Sequence, residues 1–215
     1  MKLRKANFPK QELNREFTQI TTNDSRFYED GEKTYPSVTY VLSYFPKGKH
    51  FEEWLKRVGY NADFIARKAA DEGTLVHNLC DQYLLGKEIV LMKDGSPQYD
   101  LNVWKMFLRF VDFWETSGAE LVETEVFLYS DTLHIAGTCD LVCKINDQKV
   151  DRVGILWLKS SKRGPRKDKL QGKKWEVYES PRSTDENLEI YKNVRALFDL
   201  ENPELKPLSE KYRTS

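Results

Sequence analysis

Acidic residues and a lysine lie on three consecutive strand-like segments within residues 123–162. Asp140 closely follows Gly137 in the second segment, and Lys159 ends the third. A metal-dependent nuclease hydrolyses a phosphodiester with carboxylates that hold Mg²⁺ or Mn²⁺ and with a lysine that orients the attacking water. Asp140 and Lys159 could supply two of these groups. A buried structural Asp–Lys pair would have the same spacing, so the residues alone leave both interpretations open.

Trp157 lies two residues before Lys159, where a metal nuclease needs a further carboxylate. Tryptophan cannot bind a hard cation. Asp151 shares the strand and, by parity, the face, but at roughly 3.3 Å per residue it is about 20 Å away. Mg²⁺ is bound by few protein ligands, so losing a carboxylate removes most of the affinity of the site. We therefore predict impaired or absent catalysis, unless Glu125 or Asp81 reaches the vacant ligand position.

The segments that position these residues are predicted to be strands because they are rich in Val, Ile, Leu and Phe. Alternation places Ile155, Trp157 and Lys159 on one face of the third segment. An aspartate inside an apolar strand is costly unless it is paired, so Asp140 is predicted to need Lys159, a metal ion or both. Gly137 would let a ligand or metal come close. The predicted strands are residues 121–129, 134–145 and 150–159, with a turn at 146–148.

Segments whose apolar residues recur at helical spacing precede these strands. Residues 51–85 are predicted to form helices, with Gly73 breaking the run into two and Gly86 ending the second. Residues 99–116 carry the stripe of an amphipathic helix that Gly118 closes.

Capping residues mark two further helices. Ser183 and Glu186 have the spacing of a capping box at the start of the last helix. Ser37 or Thr39 is predicted to cap a short helix near residue 40.

The ends of the chain differ from its middle in composition. Residues 1–33 are polar with scattered apolar side chains and are predicted to form an N-terminal arm outside the core. Residues 34–200 form the predicted domain, and residues 201–215 a polar C-terminal tail.

The whole chain has no net charge that would draw it to DNA, since Lys+Arg and Asp+Glu number 34 each. Any DNA affinity must therefore come from a local patch. Cys80, Cys139 and Cys143 lack metal-ligand spacing, so we predict that they are reduced and buried in an intracellular protein. No stretch approaches the roughly 20 apolar residues of a membrane span, and no signal peptide is visible. The sequence predicts a soluble, cytoplasmic protein.

Taken together, several segments resemble successive blocks of the RecB-like, phage-exonuclease branch of the PD-(D/E)xK nuclease superfamily. The similarity covers roughly residues 35–198 in the order of the family. It implies a restriction-endonuclease-like α/β core, with a central mixed sheet flanked by helices and with N- and C-terminal extensions. The segments are YPSVTYVLSYF, FEEWLKRVG, AADEGTLVHNLCDQYLLG, TEVFLYS, IAGTCDLV and ILWLKSSK.

The resemblance also implies roles for individual residues. His77 matches a helix histidine that binds the metal, and Asp140 matches the central metal-binding aspartate. Lys159 matches the catalytic lysine, and Leu158 the residue whose backbone carbonyl completes the metal shell. Glu125 matches a recurrent catalytic glutamate on the first strand.

Two positions depart from the family pattern. Trp157 replaces the acid of the D/E-x-K motif, and Asn187 falls near a glutamine that relatives carry on the following helix. The basic run of residues 162–174 stretches the usual spacing between these two positions. It is either a solvated loop or a clamp for DNA phosphates. Its candidate DNA-binding residues are Lys162, Arg163, Arg166 and Lys167.

The predicted function is therefore a nuclease-like protein of phage or mobile-element type that acts on DNA in the bacterial cytoplasm. If active, it would be a Mg²⁺- or Mn²⁺-dependent exonuclease or endonuclease. The alternative is an inactive nuclease fold reused in a phage particle, as a ring, connector or neck component whose arms bind identical subunits or other structural proteins. A DNA-binding accessory protein is the third possibility. A fold does not fix a function, and the missing acid is a reason to consider the structural-subunit alternative beside the nuclease function.

Overall fold

The structure is a computed structural model that describes residues 15–22, 25–145, 154–158 and 175–203. It is a mixed α/β protein, as the sequence predicts. The strands are β1 (Thr18–Thr21), β2 (Arg26–Glu29), β3 (Thr34–Pro36), β4 (Met92–Lys93), β5 (Ser96–Pro97), β6 (Ala119–Ser130), β7 (Ile135–Ile145), β8 (Gly154–Leu158) and β9 (Trp175–Glu179). The helices are α1 (Val38–Leu42), α2 (Gly48–Val58), α3 (Ala62–Leu84), α4 (Leu101–Ser117) and α5 (Thr184–Glu201).

The chain divides into two compact units. The described residues of unit one are 49–124, 142–145, 154–158 and 175–180, and those of unit two are 15–22, 25–48, 125–141 and 181–203.

None of the helices in these ranges is long and apolar enough to cross a membrane.

The described strands form four small sheets rather than the single central mixed sheet that the sequence predicts. The sheets are β1-β2-β3, β4-β5, β6-β7 and β8-β9. The predicted third strand, β8, has β9 as its described partner, in an antiparallel pair with Ile155 opposite Tyr178. The indole of Trp175 anchors β9 on α4 by donating to Asp112 Oδ2 at 3.0 Å and by meeting the Phe113 ring edge-on. The sequence analysis missed β9 because it follows directly on the basic run.

The core of unit one lies between α3 and α4. Val76 and Leu79 of α3 pack against Val103 and Phe107 of α4, and all four side chains are buried. The amphipathic stripe predicted for α4 is confirmed. Gly118 ends this helix in the left-handed conformation, with φ of 68°, as predicted.

The predicted helix break at Gly73 is wrong, because α3 continues through this residue from Ala62 to Leu84. A helical glycine costs only about 1 kcal/mol, which the apolar residues on both sides of Gly73 offset. The interruption instead lies at Gly59, whose φ is 53° and which opens a 3-10 turn between α2 and α3.

Unit two contains the described part of the segment that was predicted to be an N-terminal arm. Its described residues include β1 and β2, and β2 pairs with β3 across the predicted boundary at residue 33. Phe27 and Tyr28 are each only 3% exposed. The inference that residues 1–33 stay outside the core is therefore wrong for these two residues. The sequence did not indicate this burial, because the two buried aromatic residues are adjacent, whereas a strand with one buried face has apolar residues at alternate positions.

A second part of the core of unit two lies between α1 and α5. Val41 of α1 is buried with Val194 and Phe198 of α5. Ser37 caps α1 by accepting from the Tyr40 backbone N–H at 3.1 Å, which confirms one of the two predicted caps.

The capping box of α5 is confirmed and gives a test of helix stability. The Ser183 hydroxyl accepts from the Glu186 N–H at 3.2 Å, and the Glu186 carboxylate accepts from the Ser183 N–H at 2.8 Å. Ser183→Ala should lower the free energy of unfolding by about 1 kcal/mol in urea titrations, because the first turn of the helix loses an acceptor. Ser183→Thr retains that acceptor and is the control. Equal losses in both variants would show that the cap contributes nothing.

Candidate functional site

His77 lies on the surface of α3, next to residues that form the core of unit one. Its side chain is exposed, whereas its neighbour Val76 is buried. Asp81 is partly buried one helical turn further on, and residues four apart share a helix face. The helix therefore presents a histidine and a carboxylate at a spacing that permits joint contact with a ligand.

Leu158 ends β8 and packs against the same hydrophobic cluster as Val76 and Leu79. The turn of α3 that carries His77 and the end of β8 therefore belong to one packed cluster within unit one. Lys159 follows Leu158 directly in the chain but lies outside the described residues. The same is true of the Trp157 side chain and of the predicted DNA-binding residues Lys162, Arg163, Arg166 and Lys167.

Asp140 lies on β7 in unit two, and its side chain is exposed. The predicted burial of this carboxylate in an apolar strand is therefore wrong, and the large desolvation cost that would demand a metal does not arise. Gly137 lies next to α1, since a Cβ atom at this glycine would lie 3.5 Å from Cγ2 of Val38, an ordinary van der Waals contact.

Glu125 lies on β6 in a backbone conformation that side chains rarely adopt. Its φ is 51°, in the left-handed region that favours glycine, and its side chain is exposed. Strained residues of this kind cluster at functional sites, where surrounding structure maintains them. Glu125 lies five residues before the end of β6, and Asp140 lies five residues after the start of β7. The two residues thus lie on the paired strands of the β6-β7 hairpin.

The predicted site residues are divided between the two units. His77 and Leu158 belong to unit one, while Glu125 and Asp140 belong to unit two. Among the residues that the structure describes, no group of three or more His, Cys, Asp or Glu side chains could hold a metal ion. The described side chains thus do not by themselves form a binding site for Mg²⁺ or Mn²⁺.

The three cysteines are free, as predicted, and each is partly buried. Burial raises the pKa of the Cys80 thiol to about 12, and the nearby Asp81 carboxylate acts in the same direction. The thiol is therefore protonated at neutral pH and is a poor nucleophile, which excludes Cys80 as a catalytic group.

A polar network in unit two escaped the sequence analysis. The Tyr35 hydroxyl donates to Asp131 Oδ1 at 2.6 Å, and Arg15 Nη1 donates to the same oxygen at 3.0 Å and to Asp30 Oδ2 at 3.2 Å. These contacts lower the pKa of the Asp131 carboxyl, chiefly through the Tyr35 hydrogen bond. The network ties the start of the described chain to the turn after β6. Its residues are too far apart in sequence to form a recognisable motif.

His134, in that turn, makes the stability of unit two depend on pH. Its ring lies edge-on to Tyr35, with centroids 5.0 Å apart, and Arg195 Nη1 donates to its carbonyl at 2.6 Å. Burial lowers the pKa of His134 from its ordinary value of 6.5, and the positive charges of Arg195 and Lys33 lower it further. The carboxylates of Asp199 and Asp131 act in the opposite direction but offset only part of this decrease. The unfolded chain therefore takes up the proton more readily than the folded chain.

We expect the free energy of unfolding to be constant above about pH 6.5 and to fall as the pH drops below that value. Urea titrations between pH 5 and 8 measure this dependence. The variant His134→Asn should show a smaller slope, because asparagine does not titrate and tolerates the φ of 50° at this position. Identical slopes in the two proteins would exclude His134 as the source.

Comparison with known proteins gives no match to this chain among family models, curated proteins or solved structures. A functional inference therefore depends on the sequence segments and on the geometry of the two units.

Proposed function

We propose that this chain is a nuclease-like protein of the PD-(D/E)xK superfamily, of phage or mobile-element type, that acts on DNA with impaired catalysis. The observation that carries the proposal is the hydrophobic cluster that joins Leu158, at the end of β8, to the turn of α3 bearing His77. The sequence resemblance places a metal-binding histidine and the residue before the catalytic lysine at these two positions. Leu158 packs against the cluster that contains Val76 and Leu79, the residues on either side of His77 in α3, and this placement supports that assignment.

The restriction-endonuclease-like core is part of the same proposal. The order of α3, β6, β7, β8 and α5 along the chain supports it. A parallel bridge between Ser37 and Ala136 adds support, because it gives β7 a parallel contact beyond its hairpin partner β6.

In this proposal the resemblance assigns each residue a role. Metal binding is assigned to Asp140, to His77 and to the Leu158 carbonyl, and a Mg²⁺ or Mn²⁺ ion would lower the pKa of an attacking water. Lys159 would orient that water, with Glu125 assisting from β6. Trp157 in place of the second acid weakens metal binding, so the natural chain is a poor catalyst. It would bind DNA in the cytoplasm of a bacterial host.

DNA binding by the basic run can be measured independently of cleavage. Replacing Lys162, Arg163, Arg166 and Lys167 together with alanine should weaken binding to duplex DNA. It should also reduce the slope of log affinity against log salt by about 3.6, since each of the four phosphate contacts contributes about 0.9. Fluorescence anisotropy with a labelled duplex measures both quantities.

The control replaces three exposed lysines of unit one, Lys87, Lys93 and Lys105, with alanine. It should leave the slope within about 1 of the natural chain. Equal slopes for the natural chain and the four-residue variant would exclude the basic run as the DNA clamp.

The structural-subunit alternative is favoured by one observation, the tryptophan at the position of the acid. It predicts no cleavage and a defined oligomer. Light scattering of the full chain decides between this function and the first, because a monomer that binds DNA contradicts the structural role.

A further inference from the structure

Helix α2, the turn after it and the start of α3 carry four aromatic side chains outside the buried core, of which Tyr60 and Phe64 are exposed and Phe51 and Trp54 are partly buried. No residue of α2 is buried. Tyr60, in the turn after α2, is fully exposed, and Phe64 in α3 is 67% exposed. Phe51 and Trp54 lie on the same face of α2 with their rings stacked at a centroid distance of 5.5 Å. Residues 49–68, the exposed aromatic segment, therefore present four aromatic side chains outside the described core.

The exposed aromatic segment is more basic than the chain as a whole. It contains five Lys or Arg residues and three Asp or Glu residues, whereas the whole chain is balanced at 34 each. A local excess of positive charge beside exposed rings fits a polyanion with flat, apolar groups. The basic residues are Lys49, Lys56, Arg57, Arg67 and Lys68.

A surface cavity of about 560 Å³ lies along α2 and is lined by His50, Glu53, Trp54 and Arg57. These side chains offer an aromatic face, cationic or hydrogen-bonding groups on His50 and Arg57, and a carboxylate acceptor on Glu53. A nucleotide can use all three, because its base stacks, its phosphate meets a cation and an N–H of its base donates a hydrogen bond.

We propose that the exposed aromatic segment binds single-stranded DNA, with bases stacked on Trp54 and Tyr60 and the backbone held by Arg57 and neighbouring lysines. Stacking on a protein ring requires a base that is not already stacked in a duplex, so unpaired DNA is the form bound here. The inference deepens the proposed function, since it names the DNA structure that the protein engages and a surface separate from the basic run after Lys159.

The test measures binding of a fluorescein-labelled 20-nucleotide oligo(dT) to the full chain by anisotropy. Trp54→Ala and Tyr60→Ala should each weaken binding about tenfold, since a base–aromatic stack is worth about 1–3 kcal/mol. Trp54→Phe keeps a ring and should stay within about threefold of the natural chain. Leu200→Ala is the control, because Leu200 is an apolar residue of α5 that is 80% exposed and lies outside the segment. Tyr60 is fully exposed and Trp54 is partly buried, so circular dichroism checks that each variant is folded.

Oligo(dT) should bind at least about tenfold more tightly than a duplex of the same length at equal salt, as stacking on unpaired bases requires. Equal affinity for the two, or no effect of Trp54→Ala and Tyr60→Ala, overturns the inference. If the alanine variant of Lys162, Arg163, Arg166 and Lys167 still weakens duplex binding, the proposed function stands even though this inference fails. Binding to vesicles of anionic lipid in place of oligo(dT) also overturns the inference and identifies the segment as a membrane contact.

Discussion

Replacing Trp157 with aspartate should create DNA cleavage that requires Mg²⁺ or Mn²⁺, at a rate at least about 100-fold above that of the natural chain. Loss of a group that merely supports a metal ligand already costs about 10–100-fold, and a missing ligand costs at least as much. The variant restores an acid two residues before Lys159, where the resemblance requires it. Incubation with linear and circular DNA, with and without each metal ion, measures the rate and distinguishes exonuclease from endonuclease.

Two controls make this result specific. Trp157→Asn has nearly the shape of the aspartate variant but no charge, so it should remain as inactive as the natural chain. Trp157→Asp combined with Lys159→Ala should lose the new cleavage if the lysine orients the water. A folded Trp157→Asp protein that cuts no DNA with either metal ion would remove the nuclease assignment and leave the structural-subunit function.

Replacing Phe198 with alanine should lower the free energy of unfolding by about 3–5 kcal/mol, because it leaves a cavity in the core of unit two. This loss is larger than that expected for Ser183→Ala. The Phe198 side chain is fully buried and meets the rings of Tyr40 and Tyr44 edge-on, at centroid distances of 5.0 and 5.3 Å. Aromatic pairs of this geometry add to the area that is buried. Urea titration followed by circular dichroism measures the change.

Leu200→Ala on the same helix is the matched control for Phe198→Ala. Leu200 is 80% exposed, so its truncation should change the free energy of unfolding by no more than about 0.5 kcal/mol. A small effect of Phe198→Ala, similar to that of Leu200→Ala, would mean that α5 is not packed on α1 in solution.

Local signals in the sequence predicted the helices better than the sheets. The caps at Ser37 and Ser183 and the helix end at Gly118 depend on residues within one turn, and the structure confirms all three. The partner of β8 depends on residues that follow a long basic run, so the pattern of β8 could not indicate that β9 pairs with it. Which strands pair depends on the tertiary structure, and the residue pattern of a single strand does not determine it.

The candidate site was predictable in its residue types but not in its burial. The sequence places Asp140 in an apolar strand, but whether that strand is covered depends on which elements pack on it, and the carboxylate is exposed. The left-handed backbone of Glu125 was not predictable, since glycine would be the expected residue at such a conformation. The network around Tyr35 joins residues that only the folded chain brings together.

The packing of α5 on α1 also constrains how the protein is made. Tyr40 near the start of the chain donates to Asn202 across 162 residues of sequence, whereas Asn102 and Glu72 of unit one meet across only 30. During translation the α3–α4 pair can therefore form early, but the aromatic face of α1 must wait for almost the whole chain to be synthesised. A nascent chain that stalls before α5 would expose Val41 and Tyr44 and become a target for chaperones or aggregation.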